Sequence, residues 1–304
     1  MRMWIKMIED YLGQLGTELR KAGADAAIIQ DAIYDAQEYL QSEVAKAESQ
    51  GEANAEAFKR LVDSYGTPEE IAAAYLEAEL TVARALRLPE PVVYKSIAGR
   101  FFGVLVEPRA VGALFYMLLS LWTGMTYFTI VIAAISLSLG LGILIVGLPV
   151  MLLFLGVVRV VSYVEGKIVE ALLGVRMPRR PRVVAIDGSV LARIKWWLTD
   201  RRTWTTLGYM FLQLPLGIVY FAMLVTTITL SLGLIWGAPV SAVNGVAMIQ
   251  TDRFSYVPSL WAVPFIMTVG VLAIVALMHL ARAIGRLHGA YAKAMLVGDT
   301  EEKN

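Results

Sequence analysis

The chain has no cysteine and only two histidines, His279 and His288. Disulfides and thiolate chemistry are therefore excluded, and a histidine-rich metal site is not expected. An uncharged leader is also missing: Lys6, Glu9, Asp10, Glu18 and Arg20 interrupt the first twenty residues, so no signal peptide is read there and the N-terminus is expected to be kept. What the rest of the chain lacks is charge. No Asp, Glu, Lys, Arg or His occurs in the 49 positions from Ala110 to Val158. A second uncharged run covers Thr203 to Thr251, and a third, Phe254 to Leu280, is broken only by His279. With 57% hydrophobic residues and a mean hydropathy of +0.60, against roughly 45 to 50% apolar residues in soluble domains, the sequence reads as a membrane protein.

What charge there is divides unevenly. Residues 1–80 hold 7 Lys and Arg against 16 Asp and Glu, a net −9, and the remainder holds 20 against 10, a net +10. The acidic head, 1–88, carries helical stripes: Trp4, Ile8, Tyr11, Leu15, Leu19, then Ile29, Ile33, Ala36, Leu40, Val44. Gly23 breaks the first stripe and Asp25 is placed to cap the second helix. After the polar run "AESQGEANAE" a third helix reaches Tyr65, where Gly66 suits a left-handed terminus. "TPEE" then starts a fourth helix running to about Leu88: Thr67 and Glu70 can cap each other reciprocally and Pro68 fits the first turn. No helix carries a basic stripe, and the negative charge argues against nucleic acid as a partner.

Beyond a linker at Pro89 to Pro91, the body, 89–304, is expected to hold four spans near 111–134, 137–159, 206–235 and 257–280. The fold class is thus all-α, a small helical bundle followed by a polytopic membrane domain. An internal repeat underlies the four spans. A shift of 93 places Arg109 on Arg202, Tyr116 on Tyr209, Gly124 on Gly217, Tyr127 on Tyr220 and Phe128 on Phe221. After a gap, Gly147 and Pro149 fall on Gly237 and Pro239, and Arg159, Gly166 and Leu173 on Arg282, Gly289 and Leu296. Each copy contributes two spans, so the copies are expected to be parallel. Positive charge at Arg84 to Arg109, Arg159 to Arg202 and Arg282 to Lys293 places the head, the middle loop and the C-terminus in the cytoplasm. The middle loop holds two amphipathic stretches, "VSYVEGKIVEALLGV" and "VLARIKWWLTDRRTW", whose Trp196, Trp197 and Trp204 suit the headgroup layer.

Two stretches resemble known families. "DAIYDAQEYL" at 31–40 and "YGTPEEIAAAY" at 65–75 are similar to the HAAS family of small bacterial cytoplasmic signalling domains that precede membrane segments. This sequence departs from that pattern at Glu38 and Tyr39, where a His-Phe pair would stand. "LVEPRAVGALFYMLLSLWTGMTYFTIV", "GLPV" and "LTDRRTWTTLGYMFLQLPLGIVYF" resemble the four-helix sensor domain at the front of some bacterial two-component histidine kinases. Fewer than twenty-five residues follow the last span, too few for a phosphoacceptor helix or an ATP-binding domain.

Candidate chemistry is sparse. Glu165 and Glu170 lie five apart on an expected interfacial helix, and the plain reading makes them solvated or lipid-facing. His279 and His288 read as polar anchors at a helix end, with pH sensing as the sharper alternative. Tyr116 with Tyr209, and Tyr127 with Tyr220, read as packing and interface residues or as the lining of a pocket on the repeat axis. Ser136, Ser138, Thr229, Ser231 and the neighbouring glycines read as close-packing positions. No catalytic, cofactor-binding or metal-binding residue is assigned, no cofactor is implied, and no ligand-binding residue is identified. The expected function is a bacterial inner-membrane signalling or regulatory protein, not an enzyme, that senses a membrane or envelope condition. Its expected partners are membrane lipid and a cytoplasmic protein, with self-association left open. Membership of a transporter complex is the alternative, weakened by spans without the buried charges that ion coupling uses.

Overall fold

The computed structural model describes residues 2–49, 55–85, 96–141, 147–178 and 199–297. The linker at Pro89 to Pro91, the turn around Gly142, Arg179, Arg180, Arg182, Ser189, Trp196 and Trp197 lie outside the described residues. Among the described residues the regular structure is helical apart from one small hairpin, and the chain divides into two compact units.

Among the described residues the first unit contains four helices: α1 (Arg2–Lys21), α2 (Ala26–Ser49), α3 (Ala55–Tyr65) and α4 (Pro68–Ala85). Its boundaries follow from local chemistry. Gly23 takes φ +76° after α1, and the Ala27 amide donates to Asp25 Oδ1 at 2.9 Å at the start of α2. Gly66 takes φ +119°, which a β-carbon disfavours. The Thr67 amide then donates to Glu70 Oε2 at 2.9 Å while the Glu70 amide donates to Thr67 Oγ1 at 3.3 Å, the reciprocal cap expected from "TPEE". The predicted stripes meet in one core, with Trp4, Leu15, Leu19, Ile29, Leu40 and Phe58 buried together. Tyr11 reaches across to donate to the Gly66 carbonyl at 2.8 Å, tying α1 to the turn. Arg176 also belongs to this unit; it pairs with Glu79 and lies 3.6 Å from the buried Asp31. Thr67→Ala removes one cap bond and should cost about 1 kcal/mol. Hydrogen exchange at the first amides of α4 should accelerate roughly fivefold, with the amides of α1 near Leu15 much less affected.

The second unit holds α5 (Ile97–Phe102), a 3-10 turn (Gly103–Val106), α6 (Pro108–Leu141), α7 (Gly147–Leu173), α8 (Arg201–Leu232), a π-helical turn (Gly233–Gly237), α9 (Ala238–Asn244), a hairpin of β1 (Ile249–Thr251) and β2 (Phe254–Tyr256), and α10 (Val263–Leu296). Among the described residues, three stretches are long and apolar enough to cross a membrane: Pro108–Ser138, Arg201–Asn244 and Val263–Leu296. The element boundaries differ from expectation in two places. Residues 137–141 continue α6 instead of opening the next span, and α7 is described from Gly147. Its uncharged part, 147–158, rises only about 18 Å before Arg159. The segment after 235 is not a polar loop at once: helix continues to Asn244, and Gly245 at φ +68° ends it. The remaining polar stretch pairs Ile249 with Tyr256 and Thr251 with Phe254 in an antiparallel ladder.

The centre of this unit is the crossing of α6 and α8, which pack more extensively than any other helix pair. Two glycines set its closeness. A β-carbon on Gly124 would lie 2.7 Å from the Gln213 carbonyl oxygen, and one on Gly217 would lie 2.4 Å from the Ser120 carbonyl oxygen. Backbone therefore meets backbone here, as close-packed membrane helices require.

Candidate functional site

On either side of that crossing, long polar side chains turn inward. α6 contributes Tyr116 and Tyr127, α7 contributes Glu165, α8 contributes Tyr209, Gln213 and Tyr220, and α10 contributes His288. Glu165 is 1% exposed, His288 2%, Tyr116 1%, and Tyr209 and Gln213 are fully enclosed. A polar group without water must find a partner inside the bundle. These find one another.

The carboxylate of Glu165 is the hub. Tyr116 and Tyr209 each donate to its Oε1 at 2.7 Å, and Tyr127 donates to Oε2 at 2.6 Å. His288 sits beside them, with Nε2 2.7 Å from the Tyr116 hydroxyl and 3.1 Å from that of Tyr209. On its other edge, Nδ1 is 3.2 Å from the Tyr220 hydroxyl. Gln213 donates to the Tyr116 hydroxyl at 3.0 Å, and its own carbonyl oxygen is left without a donor. One proton assignment satisfies these short contacts. Three phenols donate to the carboxylate oxygens of Glu165, His288 donates from Nε2 to Tyr116, and Tyr220 donates to Nδ1. Adding one proton to His288 removes the acceptor of Tyr220, and adding one to Glu165 forces a tyrosine to turn. The network therefore ties the mutual packing of four helices to its own hydrogen-bond count.

A groove leads toward this network. It has a volume of about 480 Å³ and runs between α8 and α10, with Leu212, Leu216, Val219 and Leu287 on its walls and Tyr220, His288 and Tyr291 at its polar end. Pro215, in the middle of α8, also faces it. The Tyr291 hydroxyl is buried without a hydrogen-bond partner. Among the described residues, no cluster of His, Asp and Glu suited to a metal is present.

The positions considered from sequence fall out as follows. Glu165 is neither solvated nor lipid-facing, because α7 turns it inward, whereas Glu170 is partly exposed and pairs with Lys167 at 2.8 Å. His288 is no interfacial anchor but part of the buried network. His279 lies in the middle of α10, where its Nε2 donates to the Phe101 carbonyl at 3.0 Å and its ring stacks on Phe101. Tyr116 and Tyr209 come together with hydroxyls 3.2 Å apart, while Tyr127 and Tyr220 separate to Glu165 and His288. Sequence reasoning does not single out Gln213. One signal does point to the hub. The shift that sets Gly166 on Gly289 also sets Glu165 on His288, so the two polar residues occupy matching places.

The family model described as Putative sensor matches residues 116–296, more than half of the chain and all of this network. No curated protein and no solved structure matches.

Proposed function

The chain belongs to this sensor family, and from that premise we propose that it is a bacterial inner-membrane signalling or regulatory protein whose receiving element is the buried network around Glu165. The observation that carries this reading is the paired arrangement of the network. Tyr127 bonds Glu165 as Tyr220 bonds His288, and Tyr116 and Tyr209 join the two halves. The glycine contacts at 124 and 217 have the same reciprocity, Gly124 against 213 and 214, Gly217 against 120 and 121, each pair 93 apart. Both features support a repeat whose two copies meet at a two-fold axis across the crossing, where α6 and α8 run antiparallel and not parallel as expected from the sequence. A joint of this kind favours discrete packings, because half-satisfied buried bonds are costly. A change in lateral pressure, or an apolar molecule with one hydrogen-bonding group in the groove, would shift the balance between them.

An acidic, HAAS-like head at 1–88 passes the state of the bundle to a cytoplasmic protein, or is itself held by the basic segment after α7. The pairing of Arg176 with Glu79 and its approach to Asp31 support the second route. The antiparallel course of α6 and α8 argues for Asn244 on the side of Arg109; the topology supported by the distribution of positive charge instead has α7 as the fourth span and both termini in the cytoplasm. That topology is testable because the chain has no cysteine. Asn244→Cys should react with an impermeant thiol reagent in intact cells, whereas Ser189→Cys should react only after the membrane is opened. Labelling of Ser189→Cys in intact cells contradicts the topology.

The functional reading is tested by the transcript response of cells to a bilayer-fluidising alcohol. Strains would carry the native chain, no chain, or Tyr116→Phe with Tyr220→Phe. The response should disappear without the chain and shift in threshold in the double variant. Identical transcript responses in all three strains, accompanied by lost uptake or efflux of a solute in the deletion, would favour the transporter-complex alternative.

A further inference from the structure

A second cavity, of about 380 Å³, lies away from the network where α6 begins, α7 ends and α10 enters its last third; Glu107, Arg109, Gly174, Arg282, Gly285 and Arg286 contribute to its lining. Its charge is uneven. Arg282 pairs with Glu107 at 2.8 Å, which neutralises both. Arg109 and Arg286 form no ion pair among the described residues, so two guanidiniums remain uncompensated, and the Nε of Arg282 is buried without an acceptor. The first turn of the 34-residue α6 adds the positive end of its dipole beside Arg109. At the end of α7, Gly174 takes φ +68°, and a β-carbon there would meet nothing within 4 Å, so the chain turns aside with open space around it.

The neighbourhood of the cavity decides what anion fits. Arg109 directly precedes the uncharged run that starts at Ala110. The short helix leading into α6 exposes Ile97 at 87% and Val106 at 71%, together with Phe101 and Phe102. An exposed apolar segment next to arginines suits the acyl and headgroup boundary and has no use in open water. Basic pockets between membrane helices on the cytoplasmic side bind anionic headgroups, and arginine matches a phosphate with two parallel bonds. We propose that this cavity binds the phosphate of an anionic phospholipid between Arg109 and Arg286. The site goes beyond the sensing reading and stands whether or not the network around Glu165 is a receiver.

The test uses the full chain in lipid nanodiscs of phosphatidylcholine alone or with one-third phosphatidylglycerol, with retained lipid counted by native mass spectrometry. The native chain should retain phosphatidylglycerol selectively. Arg109→Gln with Arg286→Gln should weaken that retention about thirtyfold, the lysine pair at the same positions should keep much of it, and Arg253→Gln in the distant hairpin turn should change nothing. If the double glutamine variant is not folded by circular dichroism, Arg286→Gln alone, at an exposed position, must show a partial loss. Three results overturn the proposal: equal retention of both lipids, undiminished selectivity in the glutamine variants, or displacement of phosphatidylglycerol by millimolar inorganic phosphate, which would make the ligand a soluble anion.

Discussion

Glu165→Ala is expected to be the most destabilising single substitution in the membrane unit, by about 3 to 5 kcal/mol. Three buried phenols lose their common acceptor at once, and the methyl group left in its place offers nothing in return. Glu165→Gln keeps the shape but replaces one oxygen by a donor, so one tyrosine must turn and accept; about 1 to 2 kcal/mol is expected. Glu170→Ala serves as the comparison. Its partner Lys167 is partly exposed, and such pairs contribute less than about 1 kcal/mol. Thermal unfolding in detergent should rank the variants Glu165→Ala, Glu165→Gln, Glu170→Ala, from lowest midpoint to highest. Equal midpoints for the two alanine variants would mean that Glu165 is not the hub.

Adding a single methyl at the helix crossing should be almost as damaging. Gly217→Ala places its β-carbon 2.4 Å from the Ser120 carbonyl oxygen and Gly124→Ala places one 2.7 Å from that of Gln213. Neither neighbour is a side chain that can swing aside, so α6 and α8 must move apart, at a cost of about 3 kcal/mol each. The two changes act on one contact, and the double variant should lose less than the sum of the singles. Gly156→Ala in α7 meets nothing within 4 Å and should be neutral or gain up to about 1 kcal/mol from helix propensity. Because Gln213 bonds Tyr116, separating the helices should also loosen the network, which tyrosine fluorescence quenching or hydrogen exchange near Tyr116 would report.

The contrast between the head and the body shows what a sequence reveals by itself. The cap formed by Thr67 and Glu70, the termini at Gly23 and Gly66 and the stripe from Trp4 to Leu19 depend on residues within a turn or two of each other, and each stands where local chemistry places it. Glu165 is illegible for the opposite reason. Its partners lie 49, 38 and 44 positions away on α6 and α8, so only the fold brings them to it. A charge on an apolar helix usually points to water or headgroups, and here the bundle interior supplies three donors instead. His288 escapes through the same assumption. Gln213 is invisible because its repeat mate is Ser120, a short hydroxyl, so the alignment shows no matching amide. The long continuation of α8 through a π-helical turn to Asn244 is hidden too, since Gly233, Gly237 and Pro239 are residues that usually end helices.

The most direct test of the central claim, that the Glu165 network is a two-state joint between helices, is a distance measurement. The chain has no cysteine, so spin labels placed by Val160→Cys on α7 and Val219→Cys on α8, both exposed positions, report on one pair only. Double electron–electron resonance in nanodiscs should give one dominant distance for the native network. With Glu165→Gln, a second, resolved distance should appear, and its share should change when a bilayer-fluidising alcohol is added. A single distance, unchanged by the substitution and by the alcohol, would show that the network is a rigid part of the core and contradict its role as the receiving element.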